Sequence, residues 1–197
     1  MKQILRKICS LKKDRKLMSL VHQRLKEFEK NKNLFSELCF CTLTAGASAE
    51  SGLKCQNALK DKFHRLNEIS LQKELKKLGY RFHNRAEYIN KNQTKISLLN
   101  QIRKMDSISA RQFLVKHFKG IGMKEASHFL RNIGRKDVAI IDRHILRSLG
   151  FKDVKTLNEK KYLEIEKKLE KIAEASRLNL AELDLYLWRD QTGKVLK

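Results

Sequence analysis

A chain of 197 residues has room for one compact unit or two small intertwined subdomains. It carries 44 Lys and Arg against 22 Asp and Glu, a formal net charge of +22, well beyond the roughly 2–8 units that solubility alone asks for. That imbalance points to a polyanion, most economically nucleic acid, and no stretch approaches the roughly 18 apolar residues of a transmembrane helix.

The pattern along the chain is helical nearly throughout. Met1 to Ser19 is basic but has no continuous apolar core, so it does not read as a signal peptide. Residues 17–30 place Leu17, Leu20, Val21, Leu25 and Phe28 at helical spacing among many charges. Residues 34–47 are the most apolar segment and read as a buried helix. Ser48 is predicted to cap a helix over 49–60, and Ser70 one over 71–78 that stops at Gly79. Asn84 to Asn90 opens another helix. Ser109 with Gln112 reads as a capping box, and so does Thr156 with Glu159 ahead of a helix over 157–175. Leu180 to Arg189 forms the last helix, ended by Thr192-Gly193. No β-alternation persists and no internal repeat appears, so the fold class is all-α. Proline is absent, which leaves the turns to Gly, Asn and Ser.

The four cysteines, Cys9, Cys39, Cys41 and Cys55, read as reduced thiols of an intracellular protein, expected in the cytoplasm or nucleoid. No Cys follows Cys55, which rules out a cysteine-ligated iron-sulfur cluster near the C-terminus, and the six histidines show no metal-ligand spacing. No cofactor is expected.

Two residues carry chemistry. Lys124 follows the turn Lys119-Gly120-Ile121-Gly122, and Asp142 follows the apolar run Val138-Ala139-Ile140-Ile141. Gly120 and Gly122 permit positive φ and close backbone approach, and the amides of such a turn, with a helix N-terminus behind them, form an anion site. Lysine is a nucleophile only as the neutral amine, and the positive end of a helix dipole disfavours the ammonium. A neutral Lys124 amine attacking a deoxyribose C1′ expels the base and leaves an imine. The imine acidifies C2′, and β-elimination then cuts the strand. Asp142 is suited to accept a proton or to balance positive charge on the sugar. A stacked base is out of reach of such chemistry, so the nucleotide must be flipped out.

The Gly120-Ile121-Gly122-Met123-Lys124 turn, with Asp142 following inside Ile141-Asp142-Arg143-His144-Ile145, resembles the helix-hairpin-helix DNA glycosylase superfamily. Leu38–Ala45, Tyr80–Ile89, Lys124–Asn132 and the ending Thr192–Lys197 narrow the resemblance to the type-2, archaeal-type 8-oxoguanine DNA glycosylase/AP lyase family, over roughly residues 35 to 197. It implies two helical subdomains about a central active-site cleft: 31–134, ending in the hairpin, and 1–30 with 135–197. It implies Lys124 as the imine-forming lysine and Asp142 as the catalytic carboxylate, facing each other across that cleft. It assigns DNA phosphate binding to Gly120 and Gly122, and Lys119, where many superfamily hairpins carry proline, adds a phosphate contact. It links Lys197 to telling 8-oxoguanine from guanine. An oxygen at the terminal residue is suited to accept from the N7–H that only the lesion carries. Trp188 and Phe82 are candidates for stacking on a base, each equally readable as core. His128 reads as a packing residue and His144 as structural or DNA-facing. A monovalent cation is expected on the main-chain carbonyls of Lys116, Phe118 and Ile121.

The implied function is excision of 8-oxoguanine from double-stranded DNA by a monomeric, bifunctional glycosylase and lyase that needs no membrane. Two alternatives stay open: the same chemistry on another damaged or mismatched base, and a non-catalytic helix-hairpin-helix DNA-binding module.

Overall fold

The computed structural model describes every residue except Met1, Lys152, Asp153 and Lys155. Eleven α-helices and no strand occur among the described residues. In chain order they are α1 (Lys2–Lys13), α2 (Arg15–Lys30), α3 (Leu34–Thr44), α4 (Ala49–Leu59), α5 (Glu68–Lys77), α6 (Arg85–Gln93), α7 (Ser107–His117), α8 (Met123–Asn132), α9 (Arg143–Ser148), α10 (Glu159–Ala175) and α11 (Leu180–Thr192). Lys60–His64 and Ile96–Lys104 are 3-10 helices. No helix among the described residues is long and apolar enough to cross a membrane.

The helix starts show which capping chemistry wins. Ser48 caps α4 as expected, its hydroxyl accepting from the Ser51 amide at 3.1 Å. Elsewhere an Asn or Asp takes the place expected of Ser or Thr. Asn67 caps α5 and Asp106 caps α7, and the serines expected as caps, Ser70 and Ser109, are instead the residues whose amides are capped, both at 2.9 Å. Asn158, not Thr156, caps α10 through the Lys161 amide at 2.8 Å. Asn and Asp match Ser and surpass Thr at this position, so the Asx residue sets the boundary wherever both are near. A reciprocal capping box does form at α11, where Asn179 and Glu182 each accept from the other's backbone amide at 2.9 Å. Gly193, with φ +78°, closes that helix in the left-handed conformation.

Backbone proximity divides the chain into two units, one of residues 32–129 and one of 1–31 with 130–197. In the first, α3 is buried along all eleven residues. It packs on α4 and α6, and Phe40, Leu43 and Phe63 are fully enclosed. The Thr42 hydroxyl donates to the Leu38 carbonyl at 2.9 Å within the helix, the Ser36 hydroxyl accepts from Gln56 Nε2 of α4 at 3.1 Å, and the Tyr80 hydroxyl donates to the Leu43 carbonyl at 2.5 Å. In the second unit, α2 lays Leu17, Val21, Leu25 and Phe28 against Ala181, Leu185 and Tyr186 of α11, and Val195 of the C-terminal tail joins the same cluster. This is the 3.6-residue apolar stripe of an amphipathic helix meeting a largely buried one.

A buried ion pair sits in that second unit. Arg131 Nη2 lies 3.2 Å from Asp184 Oδ2, with the two side chains 5% and 8% exposed, and the Arg131 guanidinium stacks 4.6 Å over the Phe28 ring. Burial pushes the Asp184 carboxyl up to about 7; Arg131 pulls it down and the charge of Asp142 pushes it further up. A carboxyl raised above its unfolded value near 3.9 favours the protonated folded form, so its contribution to stability is lost as pH rises between the two values. Denaturant melts should therefore show wild type losing on the order of a few kcal/mol relative to Asp184→Asn as pH is raised from about 4 to about 7. Parallel stability curves for the two proteins would remove Asp184 from the account.

Candidate active site

The hairpin is built in the 32–129 unit. The turn Phe118–Gly122 joins α7 to α8. Phe118 and Ile121 are buried and anchor it, while Lys119 is exposed. The Phe118 amide donates to the Leu114 carbonyl at 3.0 Å and the Ala126 amide to the Gly122 carbonyl at 2.9 Å, so the helices run to the edges of the turn. Gly120 has φ +77°, and a Cβ there would stand 2.5 Å from Tyr88 Cδ2. Conformation and space both require glycine at that position. The amide side chain of Asn92 holds both polar backbone groups of the preceding residue, Lys119. Its Oδ1 accepts from the Lys119 amide at 2.8 Å and its Nδ2 donates to the Lys119 carbonyl at 3.0 Å. Lys95 Nζ donates to the His117 carbonyl at 2.7 Å. The Tyr88 ring also receives the Arg85 guanidinium at 5.1 Å and the Lys119 ammonium at 5.6 Å.

Lys124 is the second residue of α8. Its Nζ lies 3.0 Å from Glu125 Oε1, with the side chains 27% and 15% exposed. Glu125 was not singled out from the sequence, because adjacent helical residues ordinarily point apart; in the first turn the two long side chains still meet. His128, one turn on, is buried with its ring edge-on to Phe40 at 5.4 Å, which is the packing role expected of it.

Asp142 belongs to the other unit. Val138 to Ile141 is neither helix nor strand, and all four residues are buried. Its backbone groups are answered by side chains of α10. The Ala139 amide donates to Glu166 Oε1 at 2.8 Å, the Tyr162 hydroxyl donates to the Ala139 carbonyl at 2.7 Å, and the Ile141 amide donates to the Tyr162 hydroxyl at 3.3 Å. This segment ends in Asp142, half-buried, which caps α9. Its Oδ1 accepts from the His144 and Ile145 amides at 2.8 and 2.9 Å. The His144 ring stands edge-on to Trp188 at 6.1 Å. Burial holds His144 below the usual imidazole value; Asp142 opposes this shift, and Arg143 and Arg147 add to it.

Of the base-stacking candidates, Trp188 is half-buried on α11, in the same unit as Asp142. Phe82 is half-buried in the turn between α5 and α6, in the unit of Lys124. It packs edge-on to Tyr80 at 6.3 Å, with the Arg81 guanidinium 5.5 Å over its ring. Lys197, partly buried, ends the tail that Val195 pins into the core. None of the four cysteines is in a disulfide. Among the described residues no three His, Cys, Asp or Glu side chains are placed to hold a metal ion.

The 8-oxoguanine DNA glycosylase family model matches residues 21–178. The 8-oxoguanine DNA glycosylase/AP lyase of Methanocaldococcus jannaschii is 46% identical over 98% of this chain and 99% of its own. That of Korarchaeum cryptofilum is 44% identical over 94% of each. The fold matches the Methanocaldococcus jannaschii 8-oxoguanine glycosylase/lyase in complex with a 15mer DNA containing 8-oxoguanine at a TM-score of 0.95, with 45% identity over 99% of this chain and 100% of that one. It matches the 8-oxoguanine DNA glycosylase of Thermotoga maritima at 0.93, with 38% identity over 100% and 99%. With its Gly-x-Gly hairpin between α7 and α8, the chain belongs to the helix-hairpin-helix 8-oxoguanine DNA glycosylase family.

Proposed function

We propose that this chain excises 8-oxoguanine from double-stranded DNA through an imine on Lys124 and then cleaves the strand 3′ to the lesion. The observation that carries this reading is the place of Lys124, in the first turn of the helix that leaves a Gly-x-Gly hairpin, in a chain that matches glycosylase/lyases over its full length.

The hairpin amides and the N-terminus of α8 take a DNA phosphate, assisted by the exposed Lys119. That grip brings the lesion strand to the lysine. The Lys124 ammonium gives up its proton to water, the neutral amine forms a bond to C1′, and the base departs with the glycosidic electron pair and takes up a proton. Opening of the sugar gives the imine, loss of a C2′ proton follows, and the 3′ phosphate leaves. Asp142 balances the cationic sugar. Both cap bonds fall on its Oδ1, so Oδ2 is the oxygen turned to chemistry. The main-chain carbonyls of Lys116, Phe118 and Ile121 are hard, neutral donors that suit a monovalent cation, and a bound cation would add positive charge beside the phosphate. Trp188, Phe82 and the terminal Lys197 are the groups for base recognition.

Lys124→Gln should lose both borohydride trapping and strand cleavage while keeping its affinity for duplex DNA, since the hairpin amides remain. Imine trapping at the wild-type level by this variant would place the nucleophile elsewhere.

Asp142→Asn is a clean probe because asparagine is as good an N-cap as aspartate. Helix α9 stays capped and only the charge is lost. Base excision should slow by a factor on the order of 10² to 10⁴, with little change in melting temperature. A rate within about tenfold of wild type, about 1.4 kcal/mol of barrier, would sink the assignment.

Deleting Lys197 removes that residue's donors and acceptors, while Val195 still anchors the tail. Excision of 8-oxoguanine should fall well below the nicking of a preformed abasic site, which needs no base recognition. Equal losses on the two substrates would reassign Lys197 to folding or general DNA binding.

A further inference from the structure

We propose that Asn92 is a positioning residue for the hairpin, setting the shape in which the hairpin grips DNA. The proposal rests on the reading of the hairpin as a phosphate site and names a residue outside it that the grip depends on.

Three observations meet on α6. Arg85, Tyr88 and Asn92 recur at i, i+3 and i+7, so they share one helical face. Tyr88 lies where a Gly120 Cβ would be, and Asn92 holds both the amide and the carbonyl of Lys119, at 2.8 and 3.0 Å. Just beyond the helix, Lys95 holds the His117 carbonyl at 2.7 Å. One short segment, 88–95, therefore contacts three successive parts of the connection from α7 into the hairpin.

Asn92 is 1% exposed. Asparagine is a poor helix former, and a buried amide without partners is costly. A site chosen for packing alone would take an apolar residue. What asparagine adds is a planar acceptor and donor matched to the amide and carbonyl of one residue, as a neighbouring strand would present them. This fixes the two peptides that flank Lys119, the second of which leads into Gly120, whose positive φ turns the chain toward the amides proposed to bind phosphate.

The test joins Asn92→Ala with Lys119→Pro, which deletes the donor that Asn92 Oδ1 accepts. Amide hydrogen exchange is read for the whole chain. Affinity is read on duplex DNA carrying a non-cleavable abasic analogue, and the single-turnover nicking rate on a true abasic site at saturation. N92A should speed exchange at Lys119 and its hairpin neighbours about tenfold or more, leaving α3 and α11 at wild-type rates. It should weaken DNA binding about tenfold, with the saturated nicking rate within about threefold. K119P also removes the Lys119 ammonium, so the informative comparison is N92A on each background: it should cost less in a K119P protein than in wild type, because the bond from the Lys119 amide is then already lost. Should N92A fail to fold, N92S, which keeps a donor and an acceptor on a shorter side chain, is expected to move exchange and binding in the same direction by less.

Wild-type hairpin exchange and affinity in N92A would overturn the proposal. So would additive losses in the double variant, or faster exchange spread evenly over the chain. A wild-type protein that binds the duplex but never nicks or traps would instead defeat the imine reading, leaving exchange and affinity to decide on Asn92.

Discussion

Backbone that is buried but not helical must find partners for its amides and carbonyls, and with no strand among the described residues much of that task falls to side chains. Both residues of the proposed chemistry come directly after irregular backbone. Lys124 follows a turn held by Asn92 and Lys95, and Asp142 ends a buried run held by Tyr162 and Glu166. The middle of an α-helix closes its own hydrogen bonds and leaves none for a ligand. The hairpin and the run before α9 depart from that closure, and each is held from a helix far away in sequence.

The holding side chains are themselves polar and buried. Glu166 is 3% exposed and Asn92 1%. Each is buried where an apolar side chain would be cheaper, because desolvating a polar group costs free energy that only a good hydrogen bond offsets. The contrast with α3 is instructive. That helix is buried on every side, and its threonines turn to its own carbonyls, Thr42 to Leu38 and Thr44 to Cys41. This buried polarity is local and serves packing. In α6 and α10 it reaches across 21 to 27 residues of sequence and fixes irregular backbone.

The all-helical class, the family and most helix spans are legible in the residues because they depend on local signals. Apolar residues at helical spacing mark α2 and α11, and a Gly-x-Gly followed by a charged helix start marks the hairpin. The caps of α5, α7 and α10 fall on Asn67, Asp106 and Asn158 because these residues stand at the true helix starts, while Ser70 and Ser109 lie inside the first turn and Thr156 lies two residues before Asn158. Helix α3 ends at Thr44, three residues before the apolar run does, since Ala45 and the residues after it turn the chain toward Ser48. The Lys124–Glu125 contact was missed because neighbours in a helix seldom face each other, and Asn92, Tyr162 and Glu166 because no local pattern announces a partner more than twenty positions away.

This separation has a consequence for how variants of the protein are understood. Motif residues such as Gly120 and Asp142 are constrained by what they must touch or the conformation they must adopt. Asn92 and Tyr162 are constrained by the backbone they must satisfy, and neither is called on to touch substrate. A substitution at Asn92 leaves the donors and acceptors of the proposed site chemically intact, yet it leaves the Lys119 peptide without its partners. The buried group left behind costs roughly 1–3 kcal/mol, enough to shift a turn among conformations that differ by about that amount. Loss of activity at such a position would report geometry rather than chemistry, and the difference is visible in whether binding or the saturated rate falls.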